Sequence, residues 1–207
     1  MCAVGNTTRA LRAHARFALS LRILPPTVAL FFLRARWHAL RSRDEFSLAS
    51  AIRPAELAAL LGLARGREAV VELGTGTAWS TIALALDDRA RRVVSYDPCA
   101  RPQREAYLAR AWPAVRERIE LRDEPDSRGP HAGESVELLF VDSSHDYNSV
   151  VTAFRAWRHA LVPGAPVVFH DYGHPEYPGV AEAIEDLGLV GREIGGLFVW
   201  FAVADDA

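Results

Sequence analysis

Val70-Val71-Glu72-Leu73-Gly74-Thr75-Gly76-Thr77-Ala78-Trp79-Ser80 is the stretch around which the chain is organised. Its apolar start reads as a buried parallel strand ending at Glu72-Leu73. Gly74 and Gly76 then permit a tight turn that brings backbone close to a ligand. Thr77 is placed to cap the next segment, where Trp79, Ile82, Ala83 and Leu86 recur at helical spacing. Strand, glycine turn and helix make the first half of a nucleotide-binding βαβ unit. Asp97 closes the next apolar run, Val93-Val94-Ser95-Tyr96. It lies about twenty residues beyond the glycines, where an acid accepts hydrogen bonds from ribose hydroxyls. An ordinary strand-to-helix turn explains a glycine alone. With Glu72 before the glycines and Asp97 after them, a nucleoside-type ligand is the better reading.

Glu72-Leu73-Gly74-Thr75-Gly76, then Ser80, then Ser95-Tyr96-Asp97-Pro98 resemble the S-adenosylmethionine (SAM) site of class I, Rossmann-like methyltransferases. The resemblance runs from about Arg53 to the C-terminus. It implies that Glu72 helps hold the methionine end, that Gly74, Thr75, Gly76 and Ser80 line the cofactor, and that Asp97 holds the ribose. It also implies an adenine contact in the loop of residues 123–133, with Asp123 or Asp126 as candidates. Plain turn chemistry accounts for both acids equally well. Dinucleotide enzymes usually carry a third glycine where Ala78 stands, to admit a pyrophosphate at the helix start. SAM has no phosphate, so Ala78 counts against NAD and is tolerable for SAM.

A chain of 207 residues is long enough for one well-packed α/β domain and short for two. A hydrophobic content of 50% and a net charge of -2 are those of an ordinary globular protein, without the basic field that nucleic-acid binding needs. All 24 basic residues are arginines. The absence of lysine excludes a Walker P-loop lysine, a Schiff-base enzyme and a lysine general base. Cys2 and Cys99 are too few for a disulfide framework or a cysteine zinc site, so a reducing cytoplasm is the default.

Residues 1–43 hold eight arginines and no acid. Leu11, Ala15, Ala18, Leu19 and Arg22 suggest an amphipathic helix broken at Pro25-Pro26, and a second helix is expected from Val28 to Leu40. The apolar run from Val28 to Leu33 is far too short to span a bilayer. A basic amphipathic segment can lie on an anionic membrane. The reading preferred for residues 1–50 is a helical extension serving as a lid or a homodimer contact, ahead of a catalytic domain at residues 51–207. A loop from Asp44 to Ser50 and a helix from Pro54 through Leu63 follow. Strands and helices then alternate to a fifth strand at Pro166–Phe169, and Leu189–Ile194 with Leu197–Val203 read as a terminal hairpin. The expected fold is α/β: a doubly wound, mostly parallel seven-stranded sheet with a C-terminal antiparallel hairpin. Trp112, Trp157 and Trp200 are expected in or beside the core.

Ligands of such sheets sit outside the carboxyl ends of the strands. Asp142 and Asp171 follow strand ends, as do His145 and His170. Two carboxylates aimed at one point repel unless a cation or proton lies between them. A hard divalent ion such as Mg²⁺ takes few protein carboxylates and completes its shell with water and substrate oxygens. The spacing Asp142, His145, Tyr147 resembles catechol-type metal-dependent O-methyltransferases, in which a lysine base stands where His145 does. Histidine has the better unperturbed pKa for a base near neutrality. The resemblance implies a metal at Asp142 and Asp171. Catechol-type enzymes follow the second aspartate with asparagine, whereas Tyr172 stands here; His170 is then the candidate third ligand, and imidazole suits Zn, Mn or Fe better than Mg. Asp142 read on its own can equally be a helix cap, and a strand-end histidine a satisfied structural residue.

These readings give a SAM-dependent methyltransferase directed at an oxygen of a small molecule, with Mg²⁺ or Mn²⁺ as a candidate second cofactor. An NAD-type oxidoreductase is the alternative enzyme, disfavoured by Ala78 and by the lack of any lysine. A SAM-fold module without catalysis is the alternative of a different class.

Overall fold

The strand, turn and helix at residues 70–80 form the centre of a seven-stranded sheet in the computed structural model, which describes residues 16–204. The strands are β1 (Ala69–Leu73), β2 (Arg92–Tyr96), β3 (Ile119–Arg122), β4 (Leu138–Val141), β5 (Pro166–Phe169), β6 (Arg192–Ile194) and β7 (Leu197–Phe201). Their order is β3-β2-β1-β4-β5-β7-β6. The first five are parallel, and β7 runs antiparallel to both β5 and β6, so the sheet has the expected doubly wound form with a terminal hairpin. Strand order reverses between β1 and β4, and the helices that follow these two paired strands cover opposite faces of the sheet, which leaves a crevice at the strands' carboxyl ends.

The described helices are α1 (Pro26–Ser42), α2 (Glu45–Ser50), α3 (Pro54–Leu63), α4 (Trp79–Asp87), α5 (Arg104–Leu108), α6 (Pro113–Arg116), α7 (Tyr147–Trp157) and α8 (Pro178–Asp186). Adjacent strand residues feed opposite cores. Val70, Leu138, Phe140 and Val168 pack against α1, α3 and α4, while Val71, Leu139, Val141, Val167 and Phe169 pack against α7 and α8. Covering both faces is why these strands are apolar without alternation. No helix among the described residues is long and apolar enough to cross a membrane.

The expected first helix lies largely outside the described residues; residues 16–20 are helical and Leu21–Ile23 form a 3₁₀ turn. Pro26 occupies the first turn of α1, where its missing N–H costs nothing. The inner face of α1 buries Val28, Phe32, Ala35 and Ala39 completely. Phe32 meets Trp79 edge-on at 5.4 Å, and Trp79 meets Tyr107 at 5.3 Å.

Three local expectations are corrected. The segment from Asp44 to Ser50 is not a loop but α2, capped by Asp44, which accepts from the backbone N–H of Ser47 at 3.0 Å. Its carboxylate also accepts from the Ser47 and Tyr107 hydroxyls, each at 2.6 Å. A helix of six residues is marginal by itself, and this one is fixed by partners remote in sequence. Thr77 does not cap α4. The cap position is Ala78, in a left-handed conformation at φ 67°, and the Thr77 hydroxyl is instead bonded to the Ser47 hydroxyl at 2.9 Å, donating to it because the single Ser47 proton goes to Asp44. Trp157 and Trp200 are buried as expected, but Trp112 stands half exposed on the surface.

Phe32→Ala removes a buried ring at the junction of α1 and α4, and is expected to cost about 3–5 kcal/mol. Thermal denaturation should show a melting point lower by roughly 10 °C. A shift of a degree or less would mean that α1 is not part of the folded core.

Candidate active site

The glycine turn is shaped first by the neighbouring strand. Gly74 has φ +101°, and a Cβ built there would lie 2.1 Å from the backbone oxygen of Asp142. The Asp142 N–H donates to the Leu73 oxygen at 2.8 Å, which brings the end of β4 over the turn. Gly76 differs. At φ +50°, its missing Cβ would meet nothing nearer than Phe46 at 3.8 Å, so the backbone there is open to the cleft. Its N–H donates to Oδ2 of Asp97 at 2.9 Å.

Asp97 is held from three sides. Besides Gly76, it accepts from the Cys99 N–H at 2.8 Å and from Nη2 of Arg104 at 3.0 Å. The buried Arg104 also donates to the Gly76 oxygen at 3.1 Å and pairs with Asp123 at 3.3 Å. It therefore staples the glycine turn to the end of β2. Asp126 lies in the cleft wall with its carboxylate accepting from Ser143 at 2.5 Å, whereas Asp123 points outward, largely exposed.

Glu72 does not reach the cleft wall and is wholly buried beneath it. Its Oε2 accepts from Ser95 at 2.6 Å and from the Thr81 hydroxyl, while Oε1 has no partner among the described residues. Burial pushes its carboxyl up to about 7; hydrogen bonds from Ser80, Ser95 and Thr81 oppose the shift and nearby Asp142 adds to it.

At the other side of the crevice, Asp142, His145, His170 and Asp171 converge. One ligand atom from each lies within 4.8 Å of all the others. His145 Nε2 is 2.8 Å from Asp171 and 3.8 Å from Asp142. His170 Nδ1 is 3.0 Å from Asp142 and 2.9 Å from Asp171. Both nitrogens are buried, and neither carboxylate lies along a hydrogen-bonding direction, so the contacts are ionic and the ring nitrogens face a common point. Asp171 has φ +55°, a left-handed conformation that aspartate tolerates better than most residues, and it turns the carboxylate back on both rings. Asp142, and then Asp171, push the His145 imidazole up to about 9. Burial alone would lower His170, but Asp142, Asp171 and Glu56 outweigh it and push that imidazole up to about 12. Burial would raise Asp171, yet the two histidines hold its carboxyl well below the usual carboxylate range.

The helix-cap reading of Asp142 is settled by Asp146, which caps α7 by accepting from the Ser149 N–H at 3.1 Å. Tyr147 points away from the cluster and donates to Asp186 at 2.8 Å. Residues without a sequence signal complete the site. Glu56 on α3 accepts from its own Arg53 N–H at 2.9 Å and contacts His170 Nε2 at 3.3 Å. The contact with His170 spans 114 residues and leaves no local mark in the sequence. Tyr177 stacks on His145 at 4.3 Å, and His174 on Tyr177 at 4.9 Å. Phe46 on α2 lies under Arg101 at 3.5 Å. All of these groups line one cleft of about 690 Å³, which joins the glycine turn to the acid–histidine cluster.

A family model described as a methyltransferase domain matches residues 71–172. No curated protein matches the chain. Among solved structures, the fold is shared with the O-methyltransferase TomG from Streptomyces achromogenes, involved in tomaymycin synthesis and solved with SAM. That pair has 22% identity and a TM-score of 0.56, over 80% of this chain and 87% of the other. CalS11, a TDP-rhamnose 3′-O-methyltransferase of calicheamicin biosynthesis, is 18% identical with a TM-score of 0.53, over 70% of this chain and 76% of the other. The O-methyltransferase NovP is 16% identical with a TM-score of 0.51, over 71% and 78% of the two chains.

The buried Glu72 makes stability depend on pH. The folded chain keeps this proton up to about pH 7, whereas the unfolded chain releases it near the ordinary carboxyl value of 4.5. Its contribution to stability therefore falls as pH rises from about 4.5 and levels off above the folded value. The total is about 3 kcal/mol. Glu72→Gln removes it, so urea denaturation should show the variant gaining on the parent protein by about that amount between pH 5 and pH 8. A difference independent of pH would show that Glu72 is ionised in the folded chain.

Proposed function

We propose that the chain, whose residues 71–172 match a methyltransferase-domain model, is an enzyme that transfers the methyl group of SAM to an oxygen of a small-molecule acceptor. The observation that carries the reading is the single cleft in which the glycine turn and Asp97 face the cluster of Asp142, His145, His170 and Asp171. The open backbone face at Gly76 fits a cofactor lying along the turn, with Thr75, Gly76 and Ser80 beside it, Asp97 at the ribose and Asp126 toward the base. SAM supplies a methyl group on a positively charged sulfur, so the protein mainly aligns donor and acceptor and removes a proton.

The donor set also fits a divalent cation, since two imidazole nitrogens and two carboxylates face one point without directed hydrogen bonds. Asp142, Asp171 and His170 would hold it, with Mn²⁺ better suited than Mg²⁺ to the imidazole. When bound, such an ion lowers the pKa of an acceptor hydroxyl. The two histidines differ in a way that assigns their roles. His170 is the more buried, and Glu56 holds its second nitrogen, as suits a ligand. His145 is more exposed and lies flat on Tyr177 in the cleft wall, as suits a base that meets the acceptor. In the reaction the acceptor hydroxyl gives its proton to the His145 imidazole. The oxygen–carbon bond forms as the carbon–sulfur bond of the donor breaks. In the same reading residues 1–50 act as a fixed lid on the domain at residues 51–207, one that does not open, with α2 bringing Phe46 to the cleft.

Asp97→Ala removes charge-assisted hydrogen bonds worth about 1.5–3 kcal/mol each. Calorimetry should show SAM bound at least tenfold more weakly, and SAM bound as tightly as before would overturn the assignment of Asp97.

His145→Ala should lower kcat by about 10²–10⁴-fold and leave SAM affinity within a few fold. The base works only when neutral. Without added cation the rate should therefore rise with pH through about 9, the value to which Asp142 and Asp171 push the imidazole. Added Mn²⁺ competes for the same carboxylates and should move that rising limb to lower pH. Initial rates across pH, with and without chelator, read both effects. Full activity of His145→Ala would remove the base from the reading, and an unmoved limb would remove the cation.

A further inference from the structure

We propose that the outward face of α1 docks the protein on an anionic lipid bilayer. A helix that packs on a core normally turns polar residues to solvent. The face of α1 opposite Val28, Phe32 and Ala35 instead presents Leu30, Leu33, Trp37 and Leu40, exposed by 41, 40, 56 and 41%. Leu19 and Ile23, just before the helix, are exposed by 58 and 59%. The helix is thus apolar on two sides, and only its inner side is covered by the described core. Contiguous apolar surface of this kind marks an interaction site.

Charge identifies the occupant. All 26 acids of the chain lie beyond Arg43, together with 16 of the 24 arginines. Residues 44–207 are therefore ten charges negative, and residues 1–43 eight positive. Arg34 and Arg41 border the exposed leucines, and Arg41 lies over the Trp37 ring at 5.9 Å. The nearest acid along the chain, Asp44, is turned inward onto Ser47 and Tyr107. On the Arg34 side a depression adds Arg110 and the half-exposed Trp112 to Leu30. A second copy packed on this face by two-fold symmetry would set arginines against arginines. A polyanion such as nucleic acid would satisfy the arginines and leave the leucines against polar surface. An anionic bilayer satisfies both: leucine and tryptophan enter the headgroup boundary while the arginine heads stay among the phosphates.

The test is sedimentation of the full chain with vesicles of phosphatidylcholine alone or mixed with phosphatidylglycerol. The chain should pellet with the mixed vesicles and not with the neutral ones, and raised salt should weaken binding. Arg34→Glu with Arg41→Glu should weaken it by more than tenfold, since each arginine near such a surface is worth about fivefold. Leu30→Glu with Leu33→Glu should abolish pelleting at an unchanged melting temperature, because both positions are exposed. Pelleting with mixed vesicles that survives both double variants overturns the proposal, as does equal binding to neutral vesicles. No pelleting at all also overturns it. If light scattering then shows a dimer that Leu30→Glu with Leu33→Glu dissolves, the face belongs to a second copy.

Discussion

The site depends on one close approach, that of the Asp142 carbonyl to Gly74. The space that a side chain at position 74 would fill is occupied by the backbone of β4 as it leaves the sheet. Packed interiors do not yield by an ångström without cost, so the glycine and the strand end are fixed to one another. The two halves of the cleft come from these two pieces. Gly76 and Asp97 follow from the turn, and Asp142 and His145 from the strand end. The relative position of the two halves is thus set at a backbone crossing rather than by side chains that could rotate.

Electrostatics link the same two halves. Glu72 lies beneath the turn and feels Asp142, which also faces His145 and His170. A carboxyl that keeps its proton to about 7 puts less negative charge under the site than an ionised one would. The cluster above then needs only the two imidazoles to offset its two carboxylates. Displacing protons from those imidazoles by a cation changes the charge that Glu72 experiences, so cluster and buried acid titrate as a coupled set.

Much of this was legible because it follows from topology. Parallel strands buried on both faces announce themselves as short apolar runs, and a residue just after such a run must stand at the carboxyl edge of the sheet. That is why the sequence gathers Asp142, His145, His170 and Asp171 at one edge, and why it sets Asp97 beside the glycines. The misses share a different cause. Asp44 as the cap of α2 depends on Tyr107, 63 residues away, and Thr77 is claimed by Ser47, 30 residues away. Arg104 looks like any helix-start arginine until Asp97 and the Gly76 carbonyl are placed around it. Glu56 has a complete local explanation as a capping-box acid, which hides its second contact with His170. Gly74 lines the cleft as the turn requires, but its need to make room for the end of β4 has no local sign. Long-range partners leave no mark on local periodicity, so these positions could not be read from the sequence.

The path from α1 to the glycine turn consists of packed rings and short hydrogen bonds. Phe32 meets Trp79, Trp79 meets Tyr107, Tyr107 donates to Asp44, Asp44 receives Ser47, and Ser47 reaches Thr77 beside Gly76. Every member of this path is buried. Such a path has no hinge, and none of its links can open without exposing an apolar ring or an unpaired carboxylate. A contact made on the outer face of α1 would therefore orient the cleft as a rigid body rather than open or close it. The same rigidity explains why a segment with weak local helix signals, residues 44–50, is ordered at all: α2 is clamped between the helix before it and the turn it covers.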